Sequence, residues 1–244
     1  LFDKMTLPGA YESYLNADTP EKPAEFCYEF SFGAMAVTYR YRKVSARKLV
    51  FEQLQIDDRQ VFYWDSQTGT EDFSQLSEFG FETLNKRYLE KDLSFLRYIA
   101  NNSALKADSP IAKLMDFVGN MLWFRRADSG NSFIGLLSQS ERIDQYLIEH
   151  EMVKDFEAFL NENDVSEKLA VRETPDGQKT LFFNHKRLLP FSSCASSGTM
   201  ALAILFYWRS FFNKTSFIFI DEFDAFYHAR IAESVFQSLC KLDK

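Results

Sequence analysis

Asp221, Glu222 and Asp224 fall within four positions, directly after the apolar run Phe217-Ile218-Phe219-Ile220. That run predicts a short strand buried on both faces, as at the centre of a parallel sheet covered by helices. The carboxyl end of such a strand is where open α/β sheets bind ligands. Ionised carboxylates are costly to bury there unless a cation or a hydrogen-bond network compensates them. Magnesium with phosphate meets that need, because Mg2+ takes one or two carboxylates together with waters and phosphate oxygens. The competing reading is an ordinary strand end whose aspartate caps the helix that follows.

An apolar strand followed by Asp-Glu has the form of a Walker B motif, in which Asp221 holds the metal through water and Glu222 polarises an attacking water as general base. Upstream lies "CASSGTMALAILFYW", Cys194 to Trp208, a small Ser/Gly segment that feeds a helix apolar on nearly all sides. Backbone N–H groups and hydroxyls at such a helix start suit a phosphate. A plain serine cap, with Gly198 chosen for its backbone freedom, is the alternative.

These segments need a scaffold. From Ala24 to Asp65 apolar residues alternate with period two, with breaks at Gly33 and Asp57-Asp58, which predicts an antiparallel meander of about four strands. Leu1 to Pro23 holds three of the six prolines and reads as a connection. From Glu82 to Glu162 the period becomes helical. Ser109-Pro110 predicts an N-cap and first helical residue, and a longer helix from Ser140 carries Ile143, Leu147, His150, Val153, Phe156 and Leu160 on one face, with His150 as a packing residue. Strands return at 168–173 and 180–184 around the turn Pro175-Asp176-Gly177, and a final helix carries Ile231, Val235 and Leu239.

The division this implies is a β-lobe over 1–80, a helical insertion over 81–164, and an α/β core portion over 165–244. With 244 residues, 46% of them hydrophobic, the chain can bury a sizeable core. A net charge of -7 argues against a nucleic-acid surface covering the molecule, although Arg40, Arg42, Lys43, Arg47 and Lys48 form a local basic group and His185-Lys186-Arg187 and Arg125-Arg126 form others, each read first as a solvated surface. Cys27, Cys194 and Cys240 are odd in number and widely spaced, which fits a reduced cytoplasmic compartment, and neither a bilayer-spanning apolar run nor a signal peptide is present.

The stretches "YRYRK", "NHKRLLPF", "ASSGT" and "IDEFDAFYH" resemble ABC-type ATPases of the SMC, RecF and OLD-like group, in particular bacterial AAA or OLD-like ATP-binding proteins of anti-phage systems. The resemblance is strongest from Phe182 onward. It implies an incomplete P-loop NTPase head of α/β class with an antiparallel β-lobe and helical insertion, binding ATP and Mg2+. Ser196, Ser197 and Gly198 would contact nucleotide held by a second head, Asp221 would serve the metal, and Glu222 would drive hydrolysis. Asp224 and His228 would lie at the dimer interface. Ser197 stands where the family's signature has its first glycine.

The partners implied are a second head in a homodimer or higher oligomer and an effector protein, a nuclease or toxin, with nucleic acid also admissible and no membrane. No G-x-x-x-x-G-K-[ST] occurs in the chain. The resemblance places that segment before Leu1 and a switch histidine after Lys244, so the chain reads as an internal piece of a longer ATPase. Three rival readings of the acidic segment are a non-hydrolysing ABC-like scaffold, a metal-dependent nuclease built on Asp221, Glu222 and Asp224, and a DExD-box helicase.

Overall fold

The computed structural model describes residues 15, 16, 18, 19, 21–45, 48–81, 84, 93–127, 130–135, 142–220 and 229–240. The chain divides into two compact units at Gly119/Asn120.

The first unit is built on a five-stranded antiparallel meander in sequential order: β1 (Ala24–Phe32), β2 (Met35–Lys43), β3 (Leu49–Ile56), β4 (Arg59–Asp65) and β5 (Thr70–Asp72). Its turns are where the sequence supplies residues that tolerate a left-handed backbone. Gly33 (φ 70°) turns β1 into β2, and Asp57 (φ 48°) with Asp58 (φ 62°) forms the two-residue link between the paired Ile56 and Arg59. Two positive φ values in succession match the twist of the flanking strands, and aspartate tolerates them better than most residues. The fifth strand extends the four-strand expectation by three residues.

Helices α1 (Phe95–Asn102) and α2 (Pro110–Gly119) complete this unit. Ser109 caps α2 as the sequence predicts, its Oγ accepting the Ala112 N–H at 3.2 Å, with Pro110 in the first helical position where its missing donor costs nothing. Val37, Leu54, Val61, Phe62, Leu76, Phe95, Ile99 and Leu114 are fully buried, and Phe62 meets Phe95 edge-on with centroids 5.0 Å apart. Each such side chain contributes about 2 kcal/mol through removal from water.

The second unit contains two three-stranded sheets. In one, β8 (Leu169–Glu173) and β9 (Lys179–Phe183) form the predicted hairpin, with Gly177 at φ 81°, and β10 (Leu189–Pro190) adds to β9. His185, Lys186 and Arg187 are exposed between β9 and β10, and His185 Nε2 lies 3.2 Å from Glu167 Oε2. In the other, β6 (Met121–Ala127) pairs antiparallel with β7 (Gly130–Gly135) and parallel with β11 (Phe217–Ile220). Helices α3 (Ile143–Glu149), α4 (Val153–Glu162), α5 (Phe191–Cys194), α6 (Ser197–Arg209) and α7 (Ala229–Cys240) complete the unit.

Three expectations are corrected. The span 82–162 is not helical throughout, because Met121–Ala127 and Gly130–Gly135 pair as the strands β6 and β7, and Arg125-Arg126 therefore lie on a strand. The long helix from Ser140 is two helices: Glu151 adopts φ 58°, which ends α3 and restarts the chain as α4. That break turns His150 out of the apolar stripe. It is exposed, with its ring stacked on Tyr146 at 4.1 Å and Nδ1 3.0 Å from the Tyr146 carbonyl.

The third correction concerns β11. Its parallel pairing matches expectation, but among the described residues it is the outer strand of its sheet, and Phe217 and Phe219 are each 39% exposed. One face of the strand packs inward through Ile218, while Phe217 and Phe219 lie against Trp123 with centroids 6.3 and 4.7 Å away. The strand is thus covered on one face and half open on the other.

Candidate functional site at the start of helix α6

Helix α6 is apolar because it is surrounded. Every residue from Ala201 to Trp208 is buried, with Leu202 and Ala203 fully so. Tyr207 meets Tyr146 edge-on at 4.7 Å, and Phe206 packs against Phe156 and Phe159, each at 5.2 Å. A helix apolar all round belongs in the middle of a core. Helices α3 and α4 pack against α6 within one hydrophobic core.

The first turn reaches water, as does Arg209 at the far end of the helix. Ser196 is the N-cap, with φ -64° and ψ 161°, and its Oγ accepts the Thr199 N–H at 3.1 Å. The same Oγ lies 2.8 Å from Thr199 Oγ1, and the Ser196 carbonyl accepts the Met200 N–H at 2.8 Å. Ser196 and Ser197 are exposed, Gly198 is half-buried and Thr199 is buried. Ser196 is therefore both cap and surface residue, and when Thr199 Oγ1 donates to it the Ser196 proton is left for an outside acceptor.

Gly198 lies within the helix and is not among the residues with positive φ. Its backbone conformation does not demand glycine, which removes the reading that it was chosen for backbone freedom. The N–H groups of this first turn carry the positive end of the helix dipole and have no intrahelical acceptors. An oxygen of a phosphate fits that donor set.

The structure thus brings Ser196, Ser197 and Gly198 into one capped first turn. Asp221, Glu222, Asp224 and His228 lie outside the described residues. Strand β11 ends at Ile220, in register with Phe124 of β6, one residue before Asp221. Sequence reasoning missed Thr199, whose signal was the Ser-x-x-Thr spacing that puts a second hydroxyl at the third helical position, where a capping box carries Glu or Gln. Cys194, two residues before the cap, is an exposed free thiol, as are Cys27 and Cys240.

Among the described residues the chain is mixed α/β, with one parallel strand pair and a core helix whose N-terminus reaches solvent. The chain belongs to the family described as "AAA domain, putative AbiEii toxin, Type IV TA system", whose model matches residues 6–244. Membership places it among the AAA-type, nucleotide-binding ATPase domains. No curated protein and no solved structure matches the chain. Among the described residues, no helix is long and apolar enough to cross a membrane.

Proposed function

We propose that the chain is the ATPase head of an ABC-type protein of the SMC, RecF and OLD-like group, which closes on a second copy around ATP and opens on hydrolysis. The observation that carries this reading is the first turn of α6, where two exposed serines and a glycine that its own backbone does not require sit at the start of a helix buried from Ala201 to Trp208. In this reading Ser197 and Gly198 receive the terminal phosphate of a nucleotide held by the other head. Ser196 holds the turn in shape and turns its proton outward. Bound Mg2+ would neutralise phosphate charge, with Asp221 as its carboxylate.

Glu222 takes the role of general base, accepting a proton from the attacking water. Asp224 and His228 follow at the seam between heads. The cycle of closure and opening would switch an effector, a nuclease or toxin, in bacterial anti-phage defence, which agrees with the toxin–antitoxin wording of the family description. The test is paired. ATP-dependent association of heads should be weakened by Gly198→Val with little change in mononucleotide affinity, whereas Glu222→Gln should leave association intact and block turnover. Retention of ATP-driven association in Gly198→Val would remove the signature role.

A further inference from the structure

Among the described residues β1 is the outer strand of the first unit's sheet, and its free edge is open along its length. Its register with β2 runs unbroken from Ala24↔Lys43 to Phe32↔Met35. Gly33 and Ala34 link that last pair, so Phe32 and Met35 exchange both ladder hydrogen bonds, as the closing pair of a two-residue hairpin does. Alternation along an antiparallel pair then turns the N–H and C=O of Glu25, Cys27, Glu29 and Ser31 away from β2. Ala36, opposite Ser31, agrees with this phase: it donates its N–H to Asp57 Oδ1 at 2.8 Å and accepts the Asp57 N–H at 2.9 Å, on the side away from β1. Among the described residues the outward backbone groups of β1 have no hydrogen-bond partner, and the four residues that carry them are exposed.

An edge of this length is ordinarily blunted by proline, lysine or a bulge. Strand β1 has none of these, whereas β5 at the opposite edge is only three residues long. The two faces of the open edge differ. On one, Phe26, Tyr28, Phe30 and Phe32 form a half-buried aromatic row, with Phe26 stacked on Tyr41 at 4.8 Å and Phe30 6.1 Å from Phe32. On the other, Glu25 and Glu29 are exposed and have no ion pair among the described residues.

We propose that β1 receives an extended segment of a partner protein as a further strand, and that this segment carries lysine or arginine opposite Glu25 and Glu29 and apolar residues opposite Phe26, Tyr28 and Phe30. In such an addition the backbone hydrogen bonds supply affinity and the alternate side chains supply choice of partner. The basic residues would answer two carboxylates that nothing else answers, and the apolar ones would cover the outer surface of the aromatic row. A second copy of β1 fits less well. Antiparallel pairing of β1 with itself about Tyr28 gathers four glutamates on one face with no cation, and the neighbouring registers set glutamate directly against glutamate. The net charge of -7 adds to that repulsion. The surface lies wholly within the first unit and needs neither nucleotide nor a second head.

The probe is the capped synthetic peptide Thr-Val-Lys-Val-Thr-Val-Lys, which in antiparallel pairing sets its lysines against Glu29 and Glu25, together with a counterpart carrying glutamate in place of both lysines. Binding to the natural polypeptide is measured by calorimetry and located by amide hydrogen exchange. The lysine peptide should bind about tenfold or more tighter than the glutamate peptide, and Glu25→Lys combined with Glu29→Lys should reverse that preference. Amides of Glu25, Cys27, Glu29 and Ser31 should gain protection on binding, while those of Phe26, Tyr28 and Phe30, already in the ladder, should not. Cys27→Pro removes one outward N–H and no bond to β2, so it should weaken binding about tenfold in a chain that still folds. No binding of the lysine peptide, equal binding of the two peptides, or protection gained elsewhere than on β1 would overturn the proposal. So would edge amides already protected in the polypeptide alone, whether by its own chain or by a second copy.

Discussion

The hydroxyl of Ser196 accepts the backbone N–H of Thr199 at 3.1 Å and lies 2.8 Å from the Thr199 hydroxyl, which fixes the solvent-facing first turn of α6. Replacing Ser196 with alanine should cost about 1 kcal/mol, the usual loss when a capping serine is removed. Glycine at the same position should cost only a few tenths. Urea unfolding of the three forms measures both differences.

Gly198 separates structure from function more sharply. Its helical conformation means that Gly198→Ala should stabilise the fold, by about 0.5 to 1 kcal/mol. The added methyl group should at the same time weaken phosphate approach to the helix start. A variant that melts higher yet associates less on ATP addition is the expected outcome. One that melts higher and functions unchanged would point to a helix start with no ligand.

Two buried carboxylates of the first unit should pull stability in opposite directions with pH. For Asp65, burial raises the carboxyl, but the amides of Gln67 and Thr68 and the Arg42 guanidinium outweigh it, so the group sits below its ordinary 3.8. Its contribution is present above about pH 3.8 and is lost as the pH falls through the depressed value. Glu52, raised by burial, contributes most below about pH 4.5 and loses that contribution as the pH rises through its raised value. Denaturation against pH should show Arg42→Met weakening the first dependence, which the amides of Gln67 and Thr68 still sustain, while the second is unchanged.

The open face of β11 gives a contrast in core mutations. Phe217 and Phe219 are more than a third exposed, so Phe219→Thr should cost under about 1 kcal/mol. Leu202 is fully buried on every side of α6, so Leu202→Ala should cost about 2 to 5 kcal/mol through transfer and cavity terms. Thermal or denaturant unfolding checks both.

Much of this architecture is legible in the residues themselves. The meander can be read because Phe26, Tyr28, Phe30 and Phe32 alternate and because Gly33 and the Asp57-Asp58 pair mark turns that need a left-handed backbone. The hairpin at Gly177 and the capped α2 are local in the same sense. What resists reading is non-local. Leu122-Trp123-Phe124 is a short apolar run that could be helix or strand, and its partner β11 lies at the far end of the unit. Glu151 carries no glycine to signal that a helical stripe will break, so His150 reads as internal although it is exposed. Whether β11 is covered on both faces depends on what flanks it, which four apolar residues cannot say.

At the site, the Ser/Gly start of α6 was legible because a wholly apolar helix can only be a core helix, and its polar first turn must then be where the core opens. Thr199 escaped notice because a second hydroxyl one turn from a cap is common. Glu52 passed unremarked in the sequence, although the alternation of its strand points it inward, and its amide partners on α1 belong to a helix that the strand pattern does not reveal.

The most direct test of the central claim is ATP turnover by the natural polypeptide and by its Glu222→Gln form. Removal of a general base should lower turnover by about a hundredfold or more while ATP-driven association of heads persists. Unchanged turnover in Glu222→Gln would contradict the assignment of the acidic segment to ATP hydrolysis and leave Asp221, Glu222 and Asp224 in need of another role.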